Sequence, residues 1–216
     1  MKKGILAFLW ILIIFFSYKI YDSINGPIEF NETKNKRYAD VIRRLKIIRK
    51  AQIAHKDVRG VFSNNFDSLV KFIDEGIFTL VEKRDSSYLE YDRVYRIDML
   101  REVIVIDTLG TVSVKDSLFK ENEEYKRMAF IPVKGVEDSV FKIKSTIIDK
   151  NGYKVPVFEV KVSKNIVLFD QNKDLLKQEN ETISVDGVNG PDLILGSLSN
   201  VSTNGNWPTI FDATNW

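Results

Sequence analysis

Of the 216 residues 44% are hydrophobic and 29% are charged; there is no cysteine, one histidine (His55), and a formal net charge of +2. That composition excludes a disordered tail or a collagen, and about 190 residues beyond the apolar N-terminus suffice for one ordinary core. The missing cysteines exclude a disulfide framework, a thiolate metal site, a cysteine nucleophile and a cysteine-linked lipid. A single histidine excludes a multi-histidine zinc site.

Met1-Lys2-Lys3 precedes an apolar run from Gly4 to Phe16, with no polar side chain until Ser17. A bilayer core about 30 Å thick needs about 20 helical residues, and residues 4–24 supply them if Lys19 reaches to the interface, where Tyr18 and Tyr21 also fit. A cleaved signal peptide is the rival reading, but no small-x-small cleavage site follows. Lys2 and Lys3 lie before the span, whereas Asp22, Glu29 and Glu32 lie after it. The charge bias predicts a single-pass protein of the inner (cytoplasmic) membrane, N-terminus inside and bulk in the periplasm.

Asn25-Gly26-Pro27 is a turn signal, so the membrane helix is predicted to stop or bend there. A second helix begins near Thr33, with Tyr38, Val41, Ile42, Leu45 and Ile48 on one stripe and no Gly or Pro before Gly60. Residues 34–59 hold ten basic and two acidic residues, a net +8; residues 1–33 balance, which leaves −6 for residues 60–216. Arg43, Arg44, Lys46, Arg49 and Lys50 are therefore candidates for contact with a protein partner or anionic lipid headgroups; the alternative is a helix neutralised by its own acidic half. The extracytoplasmic placement argues against nucleic acid. After Gly60, Asn65 supplies a cap, and Phe66, Leu69, Val70 and Ile73 predict a short amphipathic helix ending at Gly76.

A hydrophobic N-terminal helix, a charged amphipathic helix, and Arg59-Gly60-Val61-Phe62 leading into Phe66-Asp67-Ser68-Leu69-Val70 together resemble the N-terminal part of type IV pilins and type II secretion pseudopilins. The resemblance covers residues 1–78 and implies a helix running into a β-rich head that serves in an envelope assembly. Lys3-Gly4 is similar to a prepilin processing site, but Leu9 stands where that family mostly has Glu. An uncleaved, anchored relative is the expected version, rather than a major pilin subunit.

From residue 77 the pattern turns to alternation and β-branched residues. Strands are predicted at 78–81, 94–97, 102–106, 110–114, 128–133, 140–148, 153–162, 165–169, 182–185 and 192–195. Asn151-Gly152 is a hairpin turn, and Pro156 puts its strand at an edge or bulge. Trp207, Phe211 and Trp216 stand in a polar terminal tail and are expected to be buried against the sheet or a partner.

Asp170, Asn172, Asp174 and Glu181 match positions 1, 3, 5 and 12 of a calcium loop, but Leu175 stands where the turn needs Gly. Asp85-Ser86-Ser87 and Ser139 have no histidine nearby in sequence, and His55 lies in the basic helix, so no Ser-His-Asp site is expected. No phosphate-binding loop is present, and no carboxylate pair is singled out. No enzyme and no cofactor are expected. Asp22-Ser23-Ile24, Asp67-Ser68-Leu69, Asp107-Thr108-Leu109, Asp116-Ser117-Leu118 and Asp138-Ser139-Val140 resemble the O-glycosylation sites of periplasmic proteins of Bacteroidota.

The expected fold class is α+β, with a single N-terminal transmembrane helix, two amphipathic helices, and an antiparallel β-rich domain built as a sandwich or meander. The boundaries are a cytoplasmic tip 1–3, an anchor 4–24, a linker 25–33, a helical segment 34–76, a β-rich extracytoplasmic domain 77–205 and an aromatic tail 206–216. The expected function is a structural or assembly component of an envelope machine with protein partners; the alternative is a membrane-tethered ligand-binding or calcium-binding module.

Overall fold

The computed structural model describes residues 2–213. One helix, α1 (Lys2–Arg59, 58 residues), runs through Pro27 without interruption. Of the predicted stop or bend at residues 25–27 the stop does not occur, and the expected linker 25–33 is helical. A proline in a helix interior removes one hydrogen bond and costs about 3 kcal/mol. Here both flanks are held helical independently: the first part is apolar and unburied, and Phe30, Tyr38 and the residues beyond are buried against the body. The Asn25 side-chain amide also donates to the Tyr21 carbonyl at 3.0 Å, in the turn before the proline.

In its second half α1 supplies one wall of the core. Tyr38, Val41, Ile42, Leu45, Ile48, Ala51 and Ala54 are buried, following the predicted stripe. Gly60, at φ +77°, ends the helix, a conformation that glycine adopts without strain. Gln52 then fixes the turn, because its side-chain amide pairs with both the N–H and the carbonyl of Ser63 at 2.9 and 2.8 Å. Helix α2 (Phe66–Glu75) starts where the Asn65 side chain accepts from the Asp67 N–H and buries Phe66, Leu69, Phe72 and Ile73.

Among the described residues five strands form two antiparallel sheets. β1 (Ile77–Asp92) and β2 (Ile97–Ser113) make a long two-stranded hairpin, followed by the short helix α3 (Val114–Leu118). β3 (Lys142–Lys150), β4 (Tyr153–Ser163) and β5 (Asp192–Gly196) form a sheet in chain order, with the short helices α4 (Lys164–Val167) and α5 (Lys173–Asn180) between β4 and β5, and α6 (Ile210–Ala213) after β5. The α+β class with antiparallel sheets therefore holds. Of the two expected architectures, the second sheet is a meander; the sheets share no strand, and the hairpin's side chains face solvent instead of stacking as a sandwich.

The Asn151-Gly152 turn has φ +55° and +82°, as a type I′ hairpin needs. Lys150 and Tyr153 then form a hydrogen-bonded pair, so the alternation makes Ile147 and Pro156 a non-hydrogen-bonded one. Pro156 thus turns its missing N–H away from β3, to the side where β5 reaches only residues 159–163.

Several predicted strands take other forms. Residues 94–97 are the tip of the β1–β2 hairpin, and residues 128–133 contribute one isolated bridge, Phe130 to Val140. Residues 165–169 fold as α4 and its exit because the Ser163 hydroxyl caps the turn by accepting from Asn165. Residues 182–185 form a loop with Ile183 and Val185 exposed. Short apolar runs do not distinguish strand from turn by period.

Candidate interaction surface

The basic half of α1 is largely engaged by its own body. Lys34 pairs with Glu179 at 3.0 Å, and the Arg37 guanidinium grips both carboxylate oxygens of Asp170 at 2.6 and 2.7 Å while donating to the Val167 carbonyl. That fork holds the Asp170 carboxyl down to about 2. Arg44 donates to the Glu124 carbonyl and Lys46 to the Phe211 carbonyl, and Arg49 lies over the Trp207 ring, 5.6 Å from its centroid. Desolvation pushes Arg44 down from its ordinary range. Among the proposed contact residues, Arg43, in an exposed pair with Asp40, and Lys50 remain on the surface.

Below this stripe lies a closed ionic cluster that the sequence does not signal. Lys164 is fully buried, and its ammonium donates to the Glu179 carbonyl (2.7 Å), Glu179 Oε1 (3.0 Å) and the Val188 carbonyl (2.8 Å). Glu179 Oε1 also accepts from the Tyr38 hydroxyl, and Oε2 from Lys34. Burial pushes Lys164 down, opposed by the Glu179 carboxylate, and burial pushes Tyr38 up. All three ammonium donors are occupied, so the lysine ties α4 to the end of α5 and to Val188, has no proton donor to offer a substrate, and leaves Glu179 to join α5 to Tyr38 and Lys34 of α1.

The calcium-loop residues are not gathered around one point. Asp170 is bound to Arg37, the Asn172 side chain caps α5 by accepting from the Asp174 and Leu175 N–H groups, and Glu181 lies at the far end of that helix. Eight helical residues separate the ends by about 12 Å. A helix therefore replaces the wrapping loop, and among the described residues no cluster of three or more metal-ligating side chains exists. A cavity of about 460 Å³ lies between Gly26-Pro27 and residues 170–175, lined by the carboxylates of Glu29, Asp170 and Asp174. His55 is buried, its Nδ1 2.6 Å from the Val61 carbonyl and its ring packed edge-on to Phe72.

Trp207 is buried in the body's own core and Phe211 packs partly against it; Trp216 lies outside the described residues. Gly205 lies against the Trp207 ring, where a Cβ would overlap ring carbons.

Among the described residues the β1–β2 hairpin presents a long uncovered surface. Sixteen paired residues make an arm about 50 Å long, attached at its base by the Val114 N–H to Gly76 carbonyl bond. Beyond that base nearly every residue is exposed, including Leu89 (67%), Leu100 (63%), Ile104 (65%) and Ile106 (58%). Both long edges are open. An isolated two-stranded hairpin is marginal in water, and open apolar edges are a pairing template. The sequence signal for it is residues 103–106, Val-Ile-Val-Ile, an uninterrupted apolar run typical of a strand covered on both faces.

The chain matches no model of a protein family, no curated protein and no solved structure.

Proposed function

We propose that this chain is a membrane-anchored, non-enzymatic assembly component of the cell envelope. Residues 4–24 cross the inner membrane with the N-terminus in the cytoplasm, and the body and arm stand outside it. The first part of α1 is long and apolar enough to cross a membrane and is unburied, which supports the anchor. The observation that carries assembly is the arm, whose exposed apolar faces and two open edges need covering by another chain. The pilin-like version gains support from the unbroken 58-residue helix that packs its second half on a β-containing body, because a break at Pro27 would set the chain apart from that family.

The test is to shorten the arm, joining Leu80 to Gly110 through Asn-Gly, and to compare the native mass of the detergent-solubilised full chain with that of the shortened one. Loss of a larger stoichiometric complex at unchanged body stability is expected. The same number of copies and partners in both would refute the assembly role.

A further inference from the structure

We infer that the arm pairs with the arm of a second copy, β2 against β2, antiparallel about a two-fold axis through Ile104; this rests on the assembly reading above and names its partner. The two ends of the hairpin fix which backbone groups are free. At the base the Val114 N–H bonds to the Gly76 carbonyl; at the tip Arg96, at φ +57°, donates to the Asp92 carbonyl and closes the pair Asp92–Ile97. Counting inward from both ends, across the bulge between Leu80 and Val81, gives one alternation: Arg101, Val103, Val105 and Asp107 bond to β1. Leu100, Glu102, Ile104, Ile106 and Thr108 therefore direct their N–H and carbonyl groups to the outer edge of β2.

The two edges of the arm differ. Along β1 the run Glu82-Lys83-Arg84-Asp85-Ser86-Ser87 carries charge and small polar groups, the usual protection of an edge. On β2 the four residues 103–106 are uncharged and β-branched, and that edge is the pairing template.

Charge then selects the register. Outer-edge residues must face outer-edge residues, so the axis passes through one β2 residue. An axis at Ile104 places Arg101 opposite Asp107 of the second copy twice, with Val103 opposite Val105 on the same face and Leu100 opposite Thr108 on the other. An axis at Val103 sets Asp107 against Met99 and Arg101 against Val105; one at Glu102 sets two carboxylates face to face. One at Val105 sets Asp107 against Val103. Arg101 already pairs with Glu90 at 2.9 Å and Asp107 with Arg84 at 2.7 Å, so the Ile104 register joins them into a row of alternating sign across four strands. Lipid is a poorer cover, because both faces carry charges and the free backbone groups need hydrogen-bond partners.

The chain has no cysteine, so an introduced thiol is unique. In the full chain in detergent, Ile104→Cys faces its own copy at a Cα separation of about 5.5 Å, within disulfide range. Ile106→Cys is four residues from its copy along the strands, about 14 Å, and serves as the control. Mild oxidation is expected to give a disulfide dimer with Ile104→Cys at least tenfold in excess over Ile106→Cys. Arg101→Asp should weaken the unmodified dimer at least tenfold, and adding Asp107→Arg should restore it to within about threefold of the parent; this pair decides the matter if the cysteine variant does not fold. No preferential cross-link with no charge rescue overturns the inference. If shortening the arm still lowers the native mass, assembly stands with a different partner; if it does not, both fail. A monomeric Ile104→Cys variant whose thiol resists aqueous maleimide places the arm in lipid and also overturns the inference.

Discussion

Lys164→Met tests the buried cluster directly. The substitution keeps the length of the stem and removes an ammonium that is fully buried and makes three hydrogen bonds of 2.7–3.0 Å. It strands the carbonyls of Glu179 and Val188, while the Glu179 carboxylate keeps Lys34 and Tyr38. Breaking one side of a buried pair costs about 3–5 kcal/mol, and the retained partners place the expected loss near 3. For a chain of this size that is a fall in Tm of roughly 6–12 °C. The fluorescence of Trp207, buried beside Arg49, reports unfolding of the full chain in detergent. A loss below about 1 kcal/mol for Lys164→Met would refute the view that the buried ammonium holds α4 to the end of α5.

Asp170 is ordinarily near 3.8 and is held at about 2 by Arg37, so its contribution is present above pH 4 and is lost as pH falls through 2. With its side chain 43% exposed, that contribution is about 1 kcal/mol after solvent screening, and acid titration of Asp170→Asn should lack that part of the stability loss. Gly205→Ala is expected to cost about 1–3 kcal/mol by displacing the Trp207 ring, and much less on a Trp207→Leu background, which a double-mutant cycle of melting curves would read. Arg43→Ser, in an exposed helix pair, should change stability by less than about 0.5 kcal/mol, whereas Arg37→Ser should cost several times more in the same denaturation assay. Pro27→Ala should leave the circular-dichroism helix content unchanged and raise stability; a fall would show that α1 uses the proline.

What is legible in the residues is what local chemistry decides. The stripe from Tyr38 to Ile48, the Asn65 cap, the end at Gly76 and the Asn151-Gly152 hairpin depend on spacing and φ, and all are in the structure. Pro27 misleads because a breaker rule weighs one residue, whereas the helix there is held from both flanks. Residues 165–169 mislead because the four consecutive apolar side chains of residues 166–169 carry no period. Lys164 and Glu179 give no signal: they lie 15 residues apart, meet Tyr38 from more than 100 residues away, and look like any surface lysine and glutamate. The basic helix reads as a contact candidate with self-neutralisation as the alternative, and most of its charges do meet the body, for Asp170, Glu179 and Trp207 are brought to it by tertiary packing alone. The arm is visible only as fragments, since its strands pair at separations that no local pattern encodes.

Residue-resolved amide hydrogen exchange on the full chain tests whether another chain covers the outer edge of β2. Slow exchange is expected at Leu100, Glu102, Ile104 and Ile106, matching the inner amides of Arg101, Val103 and Val105 and becoming faster on dilution. Fast exchange at the four outer amides beside protected inner ones would show a bare edge and contradict the account.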